Sequence, residues 1–587
     1  MAKKKLTESR AYLFVTEFLV GVCLMGVEIA ANRLFTPYIS GSQVVLTIIT
    51  GVVMIAMAVG NFLGGRLADK RNSPKLLYCL LACAGVYVIF DAFLGRYLIA
   101  VVAALFGLFV NGGLIVWTAI LSALLLLFPP ILCLGMVTPT LIKFALGEGK
   151  SSGKLIGLVE SLNTAGSILG TFLPTFLTIP FIGTPWSFAL FGSILVLLGL
   201  VYVIASWVEK RKEASPNPPS PSKEEAAGQS ERKDDPSPIV EAAAPKKKPR
   251  RRALAWEIAL VALATPLMVV GDVLDAKSEF VFWDDKSLVF QGESMYNYLQ
   301  VSQDEEAYYF STSVLFSVQS TVKKDGSLTG MYYDQCLLAP YLSSPRKEEP
   351  LKVLVLGNGT GTYASLLKKQ EHFPYPSDIT GVEIDQKIID LGKKYFATPE
   401  DVEVVCDDGR SYLTKSHSSY DVIMVDAYSS ISAPFQMTTV EFFQSVYSHL
   451  KDEGTMVMNI NMTSSAKNSV DKALCDTLYS SFPEVYAYKM PNATGLEVFA
   501  RKKKGIREKM EEALPLIEES SLKSIAEDVI ADGYVHSDGG IRLKDSSADV
   551  EVRSMNAVDG IILRELAEYR RIYHERGLRG LLEYFFS

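Results

Sequence analysis

At 587 residues with a formal net charge of −7, the chain is long enough for several domains, and its acidic balance argues against nucleic acid as a partner. Hydrophobic residues make up 49% and the mean hydropathy is +0.20, high for a wholly soluble protein. The seven cysteines form no CxxC and no Cys/His cluster, and the five histidines are not closely paired, so no metal site and no disulfide framework are expected.

In chain order, apolar runs fall at 13–33, 43–65 and 76–95, then in one long stretch at 97–145, then at 155–180 and 184–207. A bilayer core takes ~20 residues of helix, so residues 1–208 read as a multi-pass helical membrane domain. The first run is too long for a removed signal peptide and lacks its cleavage site. The stretch 97–145 fits two crossings, or one crossing plus an interfacial helix, with breaks expected at Pro129, Pro130 and Pro139. Glu17, Glu28, Arg33, Asn61, Glu160 and Asn163 sit inside these runs. They read as helix-to-helix pairs or as a polar path. Gly166 and Gly170 have the spacing of a close-packing pair. The basic stretches "MAKKK" and "GGRLADKR" (Gly64–Arg71) belong on one side of the plasma membrane, the cytoplasmic one.

Residues 209–252 are rich in Pro, Ser and charge and carry twelve Lys/Arg. They cannot bury a core and read as a disordered linker, cytoplasmic by charge and either a solvated tether or a segment lying on anionic lipid. The apolar run 253–273, interrupted by Glu257 and Pro266, reads as a membrane-associated helix that does not cross. That keeps the N-terminus, the linker and all that follows in the cytoplasm.

From 277 to 342 the composition is that of a small β domain. Strand and helix patterns then alternate over 343–505, and a helical extension fills 506–587. Candidate strands are Lys352–Leu356, Asp378–Glu383, Val402–Val405, Asp421–Val425 and Thr455–Ile460. This is the pattern of a doubly wound, Rossmann-like α/β domain of methyltransferase type, whose ligands lie beyond the C-terminal strand ends. The first strand ends in Gly357-Asn358-Gly359-Thr360-Gly361, a turn that lets backbone approach a ligand at a helix N-terminus. The second ends in Glu383, able to accept both hydroxyls of a ribose; the third in Asp407-Asp408-Gly409, able to accept from an exocyclic amine; the fourth in Asp426. The glycine turn alone would equally suit a dinucleotide. The set of four suggests an adenosyl-sulfonium nucleoside.

These segments resemble the spermidine synthases (polyamine aminopropyltransferases) in their form fused to an N-terminal membrane domain. "ESMYNYLQV" (Glu293–Val301), Gln319 with "YYDQCLLAP" (Tyr332–Pro340), "VLVLGNGTGT", "GVEIDQKII", "CDDGRSYL" and "YDVIMVDAYSS" follow that family's motifs in order. "APFQMTTVEFF", "LKDSSADVE", "VEIAANRLFTPYISGS" and "LNTAGSILGTFLPTFLTIPFIG" resemble segments of the fused subgroup.

The resemblance implies transfer of an aminopropyl group from decarboxylated S-adenosylmethionine, a co-substrate, to a diamine such as putrescine. The products are spermidine and methylthioadenosine, and no tightly bound cofactor or metal is involved. It further implies a homodimer. By position, Asp426 takes the proton of the attacking amine. Glu383 holds the ribose and Asp408 reads the adenine, with Gly357, Gly359 and Gly409 completing the nucleoside site. Asn297, Gln319, Tyr332, Asp334 and Tyr428 line the amine pocket. The chain departs from the family pattern at Thr360 and Ser429, each of which replaces an Asp, and at Asp334 and Asn297, which replace Glu and Gln. The site thus loses two carboxylates that face cationic amines. Two other functions fit the same residues: an S-adenosylmethionine-dependent methyltransferase, and a non-catalytic polyamine or nucleoside sensor or transporter.

Overall fold

The computed structural model describes residues 9–213 and 286–586, apart from 40, 71–73, 111, 147–152, 314–317, 428–432, 462, 465, 467, 492–493, 548, 555–556 and 558–566. The expected linker and the apolar run 253–273 therefore lie outside the described residues.

The N-terminal half is helical: α1 (Arg10–Phe35), α2 (Gln43–Lys70), α3 (Pro74–Phe109), α4 (Leu114–Leu126), α5 (Phe128–Gly135), α6 (Val137–Leu146), α7 (Gly153–Leu173) and α8 (Ile179–Glu213). Among the described residues, five helical stretches are long and apolar enough to cross a membrane: Arg10–Phe35, Gln43–Lys70, Pro74–Phe109, Phe128–Leu146 and Gly153–Glu209. The last runs for 57 residues and bends at Gly183, where φ is +79°. The runs 76–95 and 97–145 are not separate helices at their boundary, since α3 continues for 36 residues across it. The break expected at Pro129 and Pro130 is present: α4 ends at Leu126 and α5 begins at Phe128, with both prolines in the first turn of α5, where the N–H that proline lacks has no helical acceptor to lose.

Small residues set the helix spacing. A Cβ placed on Gly166 would lie 2.0 Å from the Phe18 carbonyl oxygen, and one on Gly170 would lie 2.3 Å from that of Val22. The two glycines thus let α7 rest directly on the backbone of α1. Glu17, wholly buried in α1, accepts from the Thr138 hydroxyl of α6 at 2.5 Å and from the Asn163 amide of α7 at 2.8 Å. It ties three helices together.

The soluble half holds two sheets. The first is an antiparallel meander of β1 (Ser287–Glu293), β2 (Tyr298–Gln303), β3 (Ala307–Ser311) and β4 (Ser320–Lys323). The second comprises β5 (Leu351–Leu356), β6 (Ser377–Glu383), β7 (Glu403–Cys406), β8 (Tyr420–Val425), β9 (Leu450–Ile460), β10 (Val485–Tyr488), β11 (Leu496–Arg501) and β12 (Tyr534–Val535), in the order β12-β10-β11-β9-β8-β5-β6-β7. The pairs from β7 to β9 are parallel. The five strands expected from the sequence are the parallel ones; beyond β9 the pairing turns antiparallel, so the whole sheet is mixed.

The parallel strands are apolar on both faces. Val353, Val355, Met424, Val457 and Phe499 pack into one cluster, and Leu354, Leu356, Val425, Met458 and Val498 into the other. A sheet covered on both sides requires this.

The two halves meet at the kink of α8. Glu293, ending β1, accepts from the backbone N–H and the hydroxyl of Thr184 at 3.0 and 2.7 Å. Arg33 of α1 donates to the Tyr296 carbonyl, and Lys387 donates to the Pro180 and Glu293 carbonyls.

Candidate active site

The C-terminal ends of the parallel strands converge on one row. Val425 pairs with both Leu356 and Met458, and Leu356 pairs with Val382. The next rung therefore carries Glu383, Gly357, Asp426 and Asn459 side by side. Side chains alternate faces along a strand. Asn459 thus points to the same side as Val457, and Asp426 to the same side as Met424, toward the cluster built on Tyr333 and Cys336.

Gly357 sits at the centre of this rung with φ +85°. A Cβ there would meet the Asp426 carbonyl oxygen at 2.5 Å and the Ala427 Cα at 2.6 Å, so both conformation and space require glycine. Gly359 also has positive φ, +53°. Its N–H donates to Glu383 Oε2 at 2.9 Å, while Glu383 Oε1 accepts from the Asp385 N–H at 3.0 Å. Each oxygen of this buried carboxylate keeps a second acceptor position. Burial pushes Glu383 up to about 7, against the lowering effect of those two N–H groups.

Asp426 is half-buried. Its Oδ2 accepts from the Tyr332 hydroxyl at 2.6 Å, and its Oδ1 from the Asn459 amide at 3.1 Å. Burial pushes its carboxyl up to about 7, a rise opposed by these two donors and reinforced by the charge of Glu383. Tyr332 stacks obliquely against Tyr333, with ring centroids 4.1 Å apart, and Tyr333 donates to the Gln319 carbonyl at 2.8 Å. A carboxylate held by two neutral donors beneath an aromatic pair suits a proton acceptor for an amine.

Other residues singled out from the sequence take different positions. Asp408 caps the helix Gly409–Lys415, its Oδ1 accepting from the Ser411 N–H at 2.8 Å. Gly409 begins that helix, and a Cβ there would approach Met437 Cε at 3.2 Å. Gln319 turns its side-chain oxygen to the Thr312 N–H at 2.8 Å, and reaches the site through its carbonyl. Asp334, expected in the amine pocket, is committed elsewhere. Its Oδ1 accepts from the N–H and hydroxyl of Thr329 at 3.0 and 2.9 Å, and its Oδ2 from the Gly330 N–H at 2.6 Å. Asn297 sits in the β1–β2 turn and donates to Asp385 at 3.3 Å, beside Glu383 and not beside Asp426. Tyr428 lies outside the described residues. Asn459 was not anticipated; only its place at the end of an apolar strand, "MVMNI", could have signalled it.

Residues 339–507 match the Spermine/spermidine synthase domain, and residues 13–283 match the Major Facilitator Superfamily. A "Probable polyamine aminopropyl transferase" of Bifidobacterium longum is 41% identical over 348 residues, covering 56% of this chain and 75% of that protein. Polyamine aminopropyltransferase 1 of Aquifex aeolicus is 27% identical over 215 residues, covering 34% of this chain and 72% of that protein. The spermidine synthase structure from Thermotoga maritima is 20% identical and covers 48% of this chain and 87% of that one, with a TM-score of 0.32. The synthase match lies over the sheet that bears Glu383 and Asp426, and it follows a helical region of membrane-spanning character; the chain belongs to the polyamine aminopropyltransferases, the spermidine synthase family, as a member with that helical region fused ahead of its transferase domain.

Proposed function

We propose that the protein is a membrane-bound enzyme that moves an aminopropyl group from decarboxylated S-adenosylmethionine to a diamine such as putrescine, giving spermidine and methylthioadenosine. The observation that carries this reading is the Asp426 carboxylate, held by Tyr332 at 2.6 Å and Asn459 at 3.1 Å on the same rung as Glu383. In this reading Glu383 and the Gly357–Gly361 turn hold the nucleoside, with Asp408 and Gly409 at its adenine. A neutral primary amine of the acceptor lies against Asp426, near Tyr332. Its lone pair attacks the carbon bound to the sulfonium. The C–S bond breaks with its electron pair passing to sulfur, which leaves as a neutral thioether and so needs no acid. The N–H proton released from the new secondary ammonium goes to Asp426. Positioning supplies much of the remaining rate.

The test uses the full-length protein in detergent micelles. Calorimetry should show tighter binding of decarboxylated than of ordinary S-adenosylmethionine, and isotope-labelled putrescine should appear in spermidine. Preference for the ordinary donor with methyl transfer would select a methyltransferase. Absence of nucleoside binding would select the sensor or transporter.

A further inference from the structure

The rung that holds Asp426 extends one strand further, to a carboxylate the proposed reaction does not use. Glu497 of β11 stands directly opposite Asn459 of β9, the residue whose amide contacts Asp426. Directly paired residues share a face of the sheet, and Phe499, two positions on, packs into the cluster that holds Tyr333 and Cys336. Glu497 therefore points to the side on which Asp426 meets Tyr332.

Glu497 is 0% exposed, and neither carboxylate oxygen has a hydrogen-bond donor from another residue. The missing side chain of Gly495 leaves a gap beside it. A Cβ built there would lie 3.6 Å from Asn459 Oδ1 and 3.6 Å from Glu497 Oε1, so both oxygens border the same opening. The neighbouring acids are occupied: Asp334 by three donors, Asp426 by two and Glu383 by two backbone N–H groups. Burial pushes Glu497 up to about 8, opposed by its own backbone N–H and reinforced by the charge of Asp426. An unpaired buried carboxyl is costly to a fold unless a cation joins it.

We propose that Glu497 is a substrate-binding residue that receives a primary ammonium at the end of a short alkyl chain, next to the amine poised at Asp426. This deepens the reading above and rests on it. It also offers a replacement for the carboxylates missing at Thr360 and Ser429. The ammonium belongs either to the far end of the acceptor or to the aminopropyl arm of the donor, and the two sources separate in kinetics.

In the full-length protein in detergent, Glu497→Gln should raise the KM of one substrate by about tenfold or more. A rise for the diamine assigns the ammonium to the acceptor, and a rise for decarboxylated S-adenosylmethionine assigns it to the donor. Methylthioadenosine affinity, which does not involve an ammonium, should stay within about threefold and reports that the site has folded. Unchanged KM for both substrates overturns the proposal while leaving the transfer reaction intact. If the wild type turns over no substrate, it is the transfer reaction that falls. The inference is then decided by putrescine and decarboxylated-donor binding: weaker binding of either to Glu497→Gln than to wild type supports it, and equal binding of both overturns it. Should Glu497→Gln lose methylthioadenosine affinity, Gly495→Ala takes its place. It fills the gap at ordinary contact distance while leaving the Glu497 carboxylate itself in place, and should raise the same KM; no change would overturn the proposal.

Discussion

At the scale of single residues, the proposed chemistry depends on a carboxyl that is hard to ionise. Asp426 must be unprotonated to accept a proton, and burial has pushed it up to about 7. The sign follows directly. The active form is lost as pH falls through 7, so kcat/KM should fall about tenfold per pH unit below that value and level off above it. The Tyr332 hydroxyl lowers this pKa, so Tyr332→Phe should shift the acid limb to higher pH; a profile that stayed in place would remove Asp426 as the titrating base. Asp426→Asn should abolish transfer and leave nucleoside affinity within about tenfold, and a variant with near-normal turnover would overturn the assignment. Glu383→Gln should instead weaken nucleoside binding by about 1–3 kcal/mol, measured by calorimetry with methylthioadenosine. Unchanged affinity would place the ribose elsewhere. Asp426, Glu383 and Tyr332 were legible in the sequence because each belongs to a motif at a strand or helix end. Asn459 and Glu497 were not, because their place on the rung comes from strand register, which joins residues 38 positions apart. Asp334 and Asn297 take other partners: a short acidic side chain readily bonds nearby backbone, as Asp334 does with Gly330, while Asn297 reaches across to Asp385, 88 positions away.

At the scale of elements, β5, β8 and β9 were legible because each carries a nearly unbroken apolar run buried on both faces, whereas β6 and the edge strand β7 were found by their place in the strand–helix alternation. Apolar periodicity missed the antiparallel β10–β12 pieces, of which β10 is four residues and β12 two, too short to give a periodic signal. In the membrane half, composition suggested a boundary near residue 96 that α3 ignores: Arg96 continues the helix within an element that is largely buried. The spacing of Gly166 and Gly170 was legible, and it has a measurable consequence. Gly166→Val places a branched side chain where even a Cβ would lie 2.0 Å from the Phe18 carbonyl. Helices α1 and α7 must then separate, which breaks the Glu17–Asn163 bond as well. The expected result is a loss of at least ~1–3 kcal/mol, seen as a lower Tm in detergent. A variant as stable as the wild type would show that the two helices do not pack at this glycine.

At the scale of the whole molecule, orientation follows from charge. With twelve Lys/Arg, the segment 209–252 favours the cytoplasm, and we propose that the transferase domain lies there too, with 253–273 resting on the membrane. Reporter fusions at residue 230 and at the C-terminus, one active only in the cytosol and one only outside it, should both give the cytosolic signal. An outside signal at the C-terminus with a cytosolic one at 230 would mean that 253–273 crosses, and cytosolic aminopropyl transfer would then be abandoned. The seam at the bend of α8 bears on how such a protein can be handled. Among the described residues, cutting the chain to leave 286–587 would remove no strand and no residue of the rung, yet it would strip Thr184 from Glu293 and Pro180 from Lys387. Lys387 lies in the first turn of the helix whose cap, Asp385, donates its N–H to Glu383. A soluble truncation would therefore carry an intact site on a loosened footing, and its nucleoside affinity should fall short of that of the uncut protein in lipid.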